Sequence, residues 1–178
     1  MERNRTILSK RKIWGFDILI FISVGTHKQQ FDRLLKAVDE LIARKVITQS
    51  VFAQVGHSTY QPKRFKGKKF LGLEEFDEKI KQCSLFITHA GEGNIGTALQ
   101  LEKKMIVVPR KKKFGEHTND HQLELSDAIK KQKQAIVIAS VNELENAIKD
   151  AKKIKMKETL HAKGIIKLID AFVSSVGE

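Results

Sequence analysis

The segment GEHTNDHQ, residues 115–122, crowds Glu116, His117, Asn119, Asp120, His121 and Gln122 into one short stretch at the expected start of a helix. Carboxamides and carboxylates at that density supply paired hydrogen-bond donors and acceptors, the set that neighbouring sugar hydroxyls require. N-capping by Thr118 or Asn119 would explain one of these residues and leave the rest without a reason. His117 and His121 stand four apart, a spacing that can ligate a metal, but no glutamate follows His117 in the pattern and no third ligand is evident. Metal binding therefore ranks below sugar or phosphate binding.

THAGEGNIGTALQ, residues 88–100, places two glycines where an apolar run is about to become a helix. Without Cβ atoms, Gly91 and Gly93 let a ligand approach the main chain, and the amides of residues 92–95 would cradle a phosphate. Gly96 falls one position short of the third glycine of a dinucleotide fingerprint, and late in the chain, which disfavours a nicotinamide cofactor. Glu92 fits a phosphate site only if its side chain turns to solvent. A third segment, VGTH, puts Gly25 and Thr26 just ahead of an expected helix, where free amides and the helix dipole favour an anion. It is no P-loop, and a tight turn capped by Thr26 accounts for it equally well.

The elements that must position these segments follow from hydrophobic period. DILIFISVGT, SVFAQVG, SLFITHAG, KMIVVP and AIVIA are short apolar runs of buried strands, and FLGL (70–73) is a further short candidate. Between them lie helices with apolar residues three and four apart, over 29–45, 74–83, 94–103, 118–133 and 140–153, and a last one over about 155–175. Ser140 with Glu143 has the form of a capping box. HSTYQPKRFKGKK, residues 57–69, reads as a basic loop. Strands alternating with helices imply right-handed βαβ units, hence an α/β, doubly wound, Rossmann-like parallel sheet in one domain. In such sheets ligands bind beyond the carboxyl ends of the strands, so the glycine-bearing ends at 25, 91 and 115–122 are expected on one rim.

The chain's 178 residues suit one compact domain with a full core, with 41% apolar and 30% charged residues, a globular composition. Its single cysteine, Cys83, excludes an intrachain disulfide and any cysteine-based zinc finger, and fits a reducing compartment. A net charge of +12 attracts polyanions of any kind: nucleic acid, acidic lipid or phosphorylated ligands. Residues 1–17 read as a basic tail outside the domain at 18–178, and Ile13, Trp14 and Phe16 give it a minor reading as an interfacial anchor.

ISVGTHKQQFDRLLKAVDEL, FITHAGEGNIGTAL and VVPRKKKFGEHTNDHQLEL together resemble the nucleotide-sugar-binding C-terminal half of GT-B glycosyltransferases of family 28. The likeness runs over about residues 18–150 and is nearest to short, one-domain exopolysaccharide proteins of the PssE/EpsF type. It extends to the catalytic subunit of the two-part N-acetylglucosaminyltransferase of dolichol-linked oligosaccharide assembly. More distantly it reaches the peptidoglycan-precursor N-acetylglucosaminyltransferase.

The resemblance implies a UDP-sugar donor, no resident cofactor and no metal. It places Gly25, Thr26, His89, Gly91, Gly93 and Asn94 about the diphosphate. Glu116, Asn119, Asp120, His121 and Gln122 fall on the sugar, and Phe70, Leu71 and Thr97 on uracil and ribose. Larger relatives carry a ribose-binding glutamate where this chain has Thr97, and a glycine where it has Glu102. The implied reaction is inverting hexosyl transfer to a lipid-diphosphate-linked acceptor. The acceptor site and the base belong to a separate, membrane-anchored subunit that holds this chain at the cytoplasmic face. On this chain His27 and His89 are candidates for the base, and the C-terminal helix is a candidate docking element for that subunit. Two other readings compete: a basic nucleic-acid-binding domain, which lacks any RNA-binding motif and stacking aromatics, and a non-catalytic sensor of nucleotide sugars.

Overall fold

The computed structural model describes residues 19–119, 121–131 and 135–153. The expected basic tail, the expected C-terminal helix and Asp120 lie outside the described residues. Six parallel strands form one sheet: β1 (Ile20–Ser23), β2 (Val51–Gln54), β3 (Lys66–Lys68), β4 (Leu85–Thr88), β5 (Met105–Val107) and β6 (Ile136–Val137). Their order is β3-β2-β1-β4-β5-β6, so the direction of winding reverses between β1 and β4. That pair is in register with Ser23 opposite Thr88, and such folds accept ligands beyond the carboxyl ends of the strands at this reversal.

Both sheet faces are covered, as continuous apolar strands require. Alternation along β1 sends Ile20 and Ile22 to one side and Phe21 to the other. On the first side α1 (Asp32–Ala43) and α5 (Leu144–Lys153) bring Leu34, Leu35, Val38, Leu144 and Ile148 against Ile22, Ile87 and Ile106. On the second, α2 (Leu73–Gln82), α3 (Glu92–Gln100) and α4 (His121–Lys131) bring Ile80, Ile95, Leu99, Leu125 and Ile129 against Phe21, Phe86 and Val107. Each such fully buried aliphatic side chain contributes roughly 1.5–3 kcal/mol, so the sheet is the rigid floor of the rim above it. Among the described residues no helix is long and apolar enough to cross a membrane. Burial raises the Cys83 thiol to about 11, which leaves it inert at neutral pH.

The differences from expectation have local causes. FLGL is not a strand; the edge strand is Lys66–Lys68, inside the segment read as a loop. Its residues are exposed and carry no apolar alternation, and Gly67 is needed because a Cβ there would stand 2.8 Å from Cγ1 of Val55, just past β2. Helix α1 starts at Asp32 rather than 29, since the Asp32 amide donates to the Gln30 side-chain oxygen (2.7 Å) and no cap comes from Thr26. The Ser140–Glu143 capping box is present, on a 3-10 turn (Val141–Glu143) that runs into α5.

Asp39, buried on α1, ties down the segment that leads into β3. Its carboxylate accepts from the Lys63 amide (2.6 Å), the Arg64 amide (2.8 Å) and the Tyr60 hydroxyl (2.7 Å). Burial opposes ionisation, but these three donors outweigh it and hold the carboxyl below the usual carboxylate range. A depressed folded pKa means stability present above the ordinary aspartate value near 4 and lost as pH falls through it toward the folded one. Asp39→Asn is therefore expected to lower stability at pH 7 and to flatten its fall in acid. Urea midpoints at pH 7 and pH 3 that shift equally would refute this.

Candidate functional site

Beneath the rim the polar groups converge on Ser23, the last residue of β1. Its hydroxyl oxygen accepts from Asn94 Nδ2 (2.9 Å), the Gly25 amide (3.3 Å) and Gln54 Nε2 (3.5 Å). Asn94 Nδ2 also donates to Thr88 Oγ1 at 2.9 Å, so this side chain staples β1 to β4 rather than facing a ligand. Gln54 Oε1 takes the Leu71 amide at 3.0 Å, which fixes the chain where it turns from β3 into α2. The Leu71 N–H is thus committed internally, while the exposed Phe70 packs its ring edge-on to His57 with centroids 5.2 Å apart.

His89 follows β4 and is buried. Its ring fills the space between two loops: a Cβ on Gly25 would come 2.5 Å from His89 Cε1, and one on Gly91 would overlap His89 Nε2. Both glycines are therefore required by an imidazole of the protein itself, a reason the sequence pattern does not show. Gly25 is also left-handed (φ +82). Burial, reinforced by the Arg110 charge, lowers His89 to about 3, so it is neutral at working pH and too weak for a general base. Gly93 differs. It lies in the first turn of α3, and a Cβ there would meet nothing within 4 Å.

Helix α3 begins with no side-chain cap on Gly91, leaving the Glu92, Gly93 and Asn94 amides at its open end. The Ile95 amide donates to Gly91 O (3.1 Å), so the expected cradle of residues 92–95 shortens by one. Thr97 sits half-buried a turn further on. The exposed Thr26 is six residues before α1, so the expected anion site at an α1 N-terminus does not form there.

The third loop is organised by a residue that the sequence pattern does not single out. Arg110, three residues beyond β5, is 0% exposed. Its guanidinium donates to Val24 O (2.6 Å), Gln29 O (2.8 Å), Gln30 O (3.5 Å) and Glu116 O (2.8 Å), and lies over the Phe31 ring. Burial lowers it only to about 10, with Glu116 opposing, so it remains a cation at neutral pH. One arginine thus binds the loop after β1 to the loop after β5. An apolar-run pattern carries no signal for it.

Glu116, expected on a sugar, is 1% exposed and fully engaged: Arg33 Nε (2.6 Å), Arg33 Nη2 (3.1 Å) and the Lys111 amide (3.0 Å) all donate to its carboxylate. It is a brace for the loop, not a group facing the rim. Gln122, in the first turn of α4, accepts from the Arg110 amide at 3.0 Å, which orients its carboxamide. Asn119 donates its amide to His117 Nδ1 (3.3 Å), and the His117 ring stacks on His27 at 4.3 Å and 19°. Burial and then His117, Arg110 and Lys28 lower His27, against a Gln29 contact that raises it. The rim therefore brings together Gly25, His27, His89, Gly91, Gly93, His117 and Gln122 from three crossovers, with a buried cation below them. The geometry suits an anion held by amides and imidazoles, beside a carboxamide set for hydroxyls.

Residues 19–170 match the glycosyltransferase family 28 C-terminal domain. A curated relative, the UDP-N-acetylglucosamine transferase subunit ALG13 of Mus musculus, is 30% identical over 128 residues, covering 63% of this chain and 10% of the relative. The fold is shared with the glycotransferase of kitacinnamycin (TM-score 0.64, 18% identity, 97% of this chain and 44% of that one). It is shared as well with MurG of Acinetobacter baumannii (TM-score 0.58, 13% identity, 87% of this chain and 50% of that one). The chain thus spans half or less of the length of each of these relatives.

Proposed function

Because the chain belongs to the glycosyltransferase family 28 C-terminal domain family, we propose that it is the donor-binding subunit of a UDP-sugar-dependent hexosyltransferase of the PssE/EpsF type. The observation that carries this reading is the meeting of three crossover loops at the β1/β4 switch point, around an uncapped helix N-terminus with open space over Gly93. The amides of Glu92, Gly93 and Asn94, with Gly25, Thr26 and His89, would hold the diphosphate. Asn119, Asp120, His121 and Gln122 would hold the sugar, and Phe70, Leu71 and Thr97 the uridine.

Developing charge on the departing diphosphate would be met by fixed amide dipoles and by the Arg110 charge beneath them, an electrostatic role that calls for no resident cofactor. Inverting transfer needs a base on the acceptor hydroxyl. With His89 neutral and buried, that base is assigned to a membrane-anchored partner subunit. The same subunit would present the lipid-diphosphate acceptor and keep this chain at the cytoplasmic face of the membrane. ALG13 is, by its name, itself a transferase subunit, which supports a partner here.

The test is binding of UDP and of a panel of UDP-hexoses by thermal shift and calorimetry. Ligand at a hundredfold excess over its Kd stabilises by about 2.7 kcal/mol, a shift of several degrees for a chain of this size. Gly93→Ala separates fold from site, because the added methyl improves helix propensity by up to ~1 kcal/mol and occupies the space assigned to phosphate. The variant is expected to melt at or above the wild-type temperature while binding UDP at least about tenfold more weakly, a loss near 1.4 kcal/mol. Unchanged affinity in Gly93→Ala would remove the diphosphate from this helix end. Salt-sensitive polynucleotide binding without any nucleotide-sugar binding would favour a nucleic-acid module instead.

A further inference from the structure

The stacked His27–His117 pair does something that holding a diphosphate by amides does not require. The rings lie 4.3 Å apart and nearly parallel, each half-buried, at the mouth of the rim. They are not equivalent. His117 Nδ1 accepts the Asn119 amide at 3.3 Å, a contact that holds this nitrogen unprotonated. His27 Nδ1 and the side-chain oxygen of Gln29, two residues along the same loop, are both buried and make no well-formed hydrogen bond, although Gln29 stands near enough to favour the protonated ring. A doubly protonated His27 ring would turn an orphan nitrogen into a donor beside an orphan acceptor, and would keep a second N–H for an anion. A neutral ring supplies one of these and not both.

Resting on the donor-binding reading above, we propose that His27 takes up a proton when a nucleoside diphosphate occupies the rim. Arrival of the ligand thereby places a charge on the His27 ring of the stack.

The groups facing His27 set the balance. His117 and Arg110 come from the loop and strand end after β5, Lys28 from its own loop, and His89 from the end of β4. Of these, Arg110 and Lys28 are cations, hence the empty site disfavours a further positive charge, as does burial. A diphosphate reverses the sign of the local field, and an opposite charge within reach favours the protonated ring. His117 then offers its ring face to a cation, a contact available only after protonation. UDP, one charge more negative than a UDP-sugar, draws the proton more strongly, so the device favours the departing product over the bound substrate.

Calorimetric titration of the full chain with UDP at pH 7.5, in two buffers of different ionisation enthalpy, measures the protons exchanged. The terminal phosphate of UDP is almost fully ionised there, with its own pKa near 6. The expected result is net uptake approaching about one proton per UDP, and a Kd that rises as pH increases from 7 to 8. His27→Gln should bind UDP more weakly with no uptake, whereas His117→Phe should keep the ring stack and the uptake. UDP binding by the wild type with no proton uptake overturns the proposal and leaves the donor-binding reading standing. Uptake that persists in His27→Gln also overturns it, since the proton then resides elsewhere. Absence of UDP binding by the wild type sinks both.

Discussion

Arg110→Met is expected to cost roughly 3 kcal/mol or more of folding stability and to remove measurable UDP binding. Methionine approximates the arginine stem in volume, so the loss isolates the guanidinium. Four carbonyls, of Val24, Gln29, Gln30 and Glu116, lose their shared donor at distances of 2.6 to 3.5 Å. Hydrogen bonds to a charged group are worth about 1.5–3 kcal/mol each, and buried acceptors left unpaired keep the penalty of their desolvation. Even with partial relaxation toward water, the sum exceeds what a surface substitution produces. The loop after β1 and the loop after β5 would then part, taking His27, His117 and Gln122 out of mutual reach. Arg110→Lys should recover little, because an ammonium has no planar fork with which to meet carbonyls from two loops. Urea unfolding within 1 kcal/mol of wild type, with UDP affinity retained, would show that Arg110 is not the tie between these loops.

Arg110 also shows why the fold was legible and part of the site was not. Buried strands announce themselves by composition: IFIS, LFIT and MIV are apolar runs that only a doubly covered parallel sheet accommodates, and the helices follow from spacing. Strand β3 carries no such signal. KGK is polar on both faces, and its pairing with β2 is set by the room that Gly67 leaves for Val55. The convergence of 25, 91 and 115–122 on one rim was readable from topology alone, because parallel strands place their carboxyl ends together. What local sequence could not say is which polar residue faces outward.

Asn94, Glu116 and Gln122 are all hydrogen-bonding residues in the segments expected at the rim. Asn94 turns down to staple β1 to β4, and Glu116 turns in to Arg33. Gln122 has its carboxamide oriented by the Arg110 amide. Those directions are decided by partners 71, 83 and 12 positions away in the chain. The orphan polar groups a rim creates are satisfied first by each other, and only the remainder is available to a ligand.

The same competition decides what Gly91 is for. A glycine before an open helix end invites the explanation that a phosphate needs room, yet a methyl at 91 would strike the His89 ring before any ligand arrived. The two accounts make different predictions in a double-mutant cycle. Gly91 has φ −96 and ψ 130, a conformation alanine adopts without strain, so the penalty of Gly91→Ala arises from the ring alone. The ring cannot swing away freely, since Gly25 closes its other side, where the left-handed φ of +82 fixes the backbone. Gly91→Ala should therefore destabilise by about 1–3 kcal/mol, the range for overpacking a filled interior. In a His89→Ala background the same substitution should cost close to nothing, giving a coupling of about 2 kcal/mol between residues in contact. UDP affinity should stay low in the double variant, because restored packing does not restore the imidazole beside the diphosphate. If the two stability costs simply add, His89 moves aside at no expense. The glycine must then be credited to the ligand, and recovery of binding would be the wrong thing to expect from any repacking of the protein.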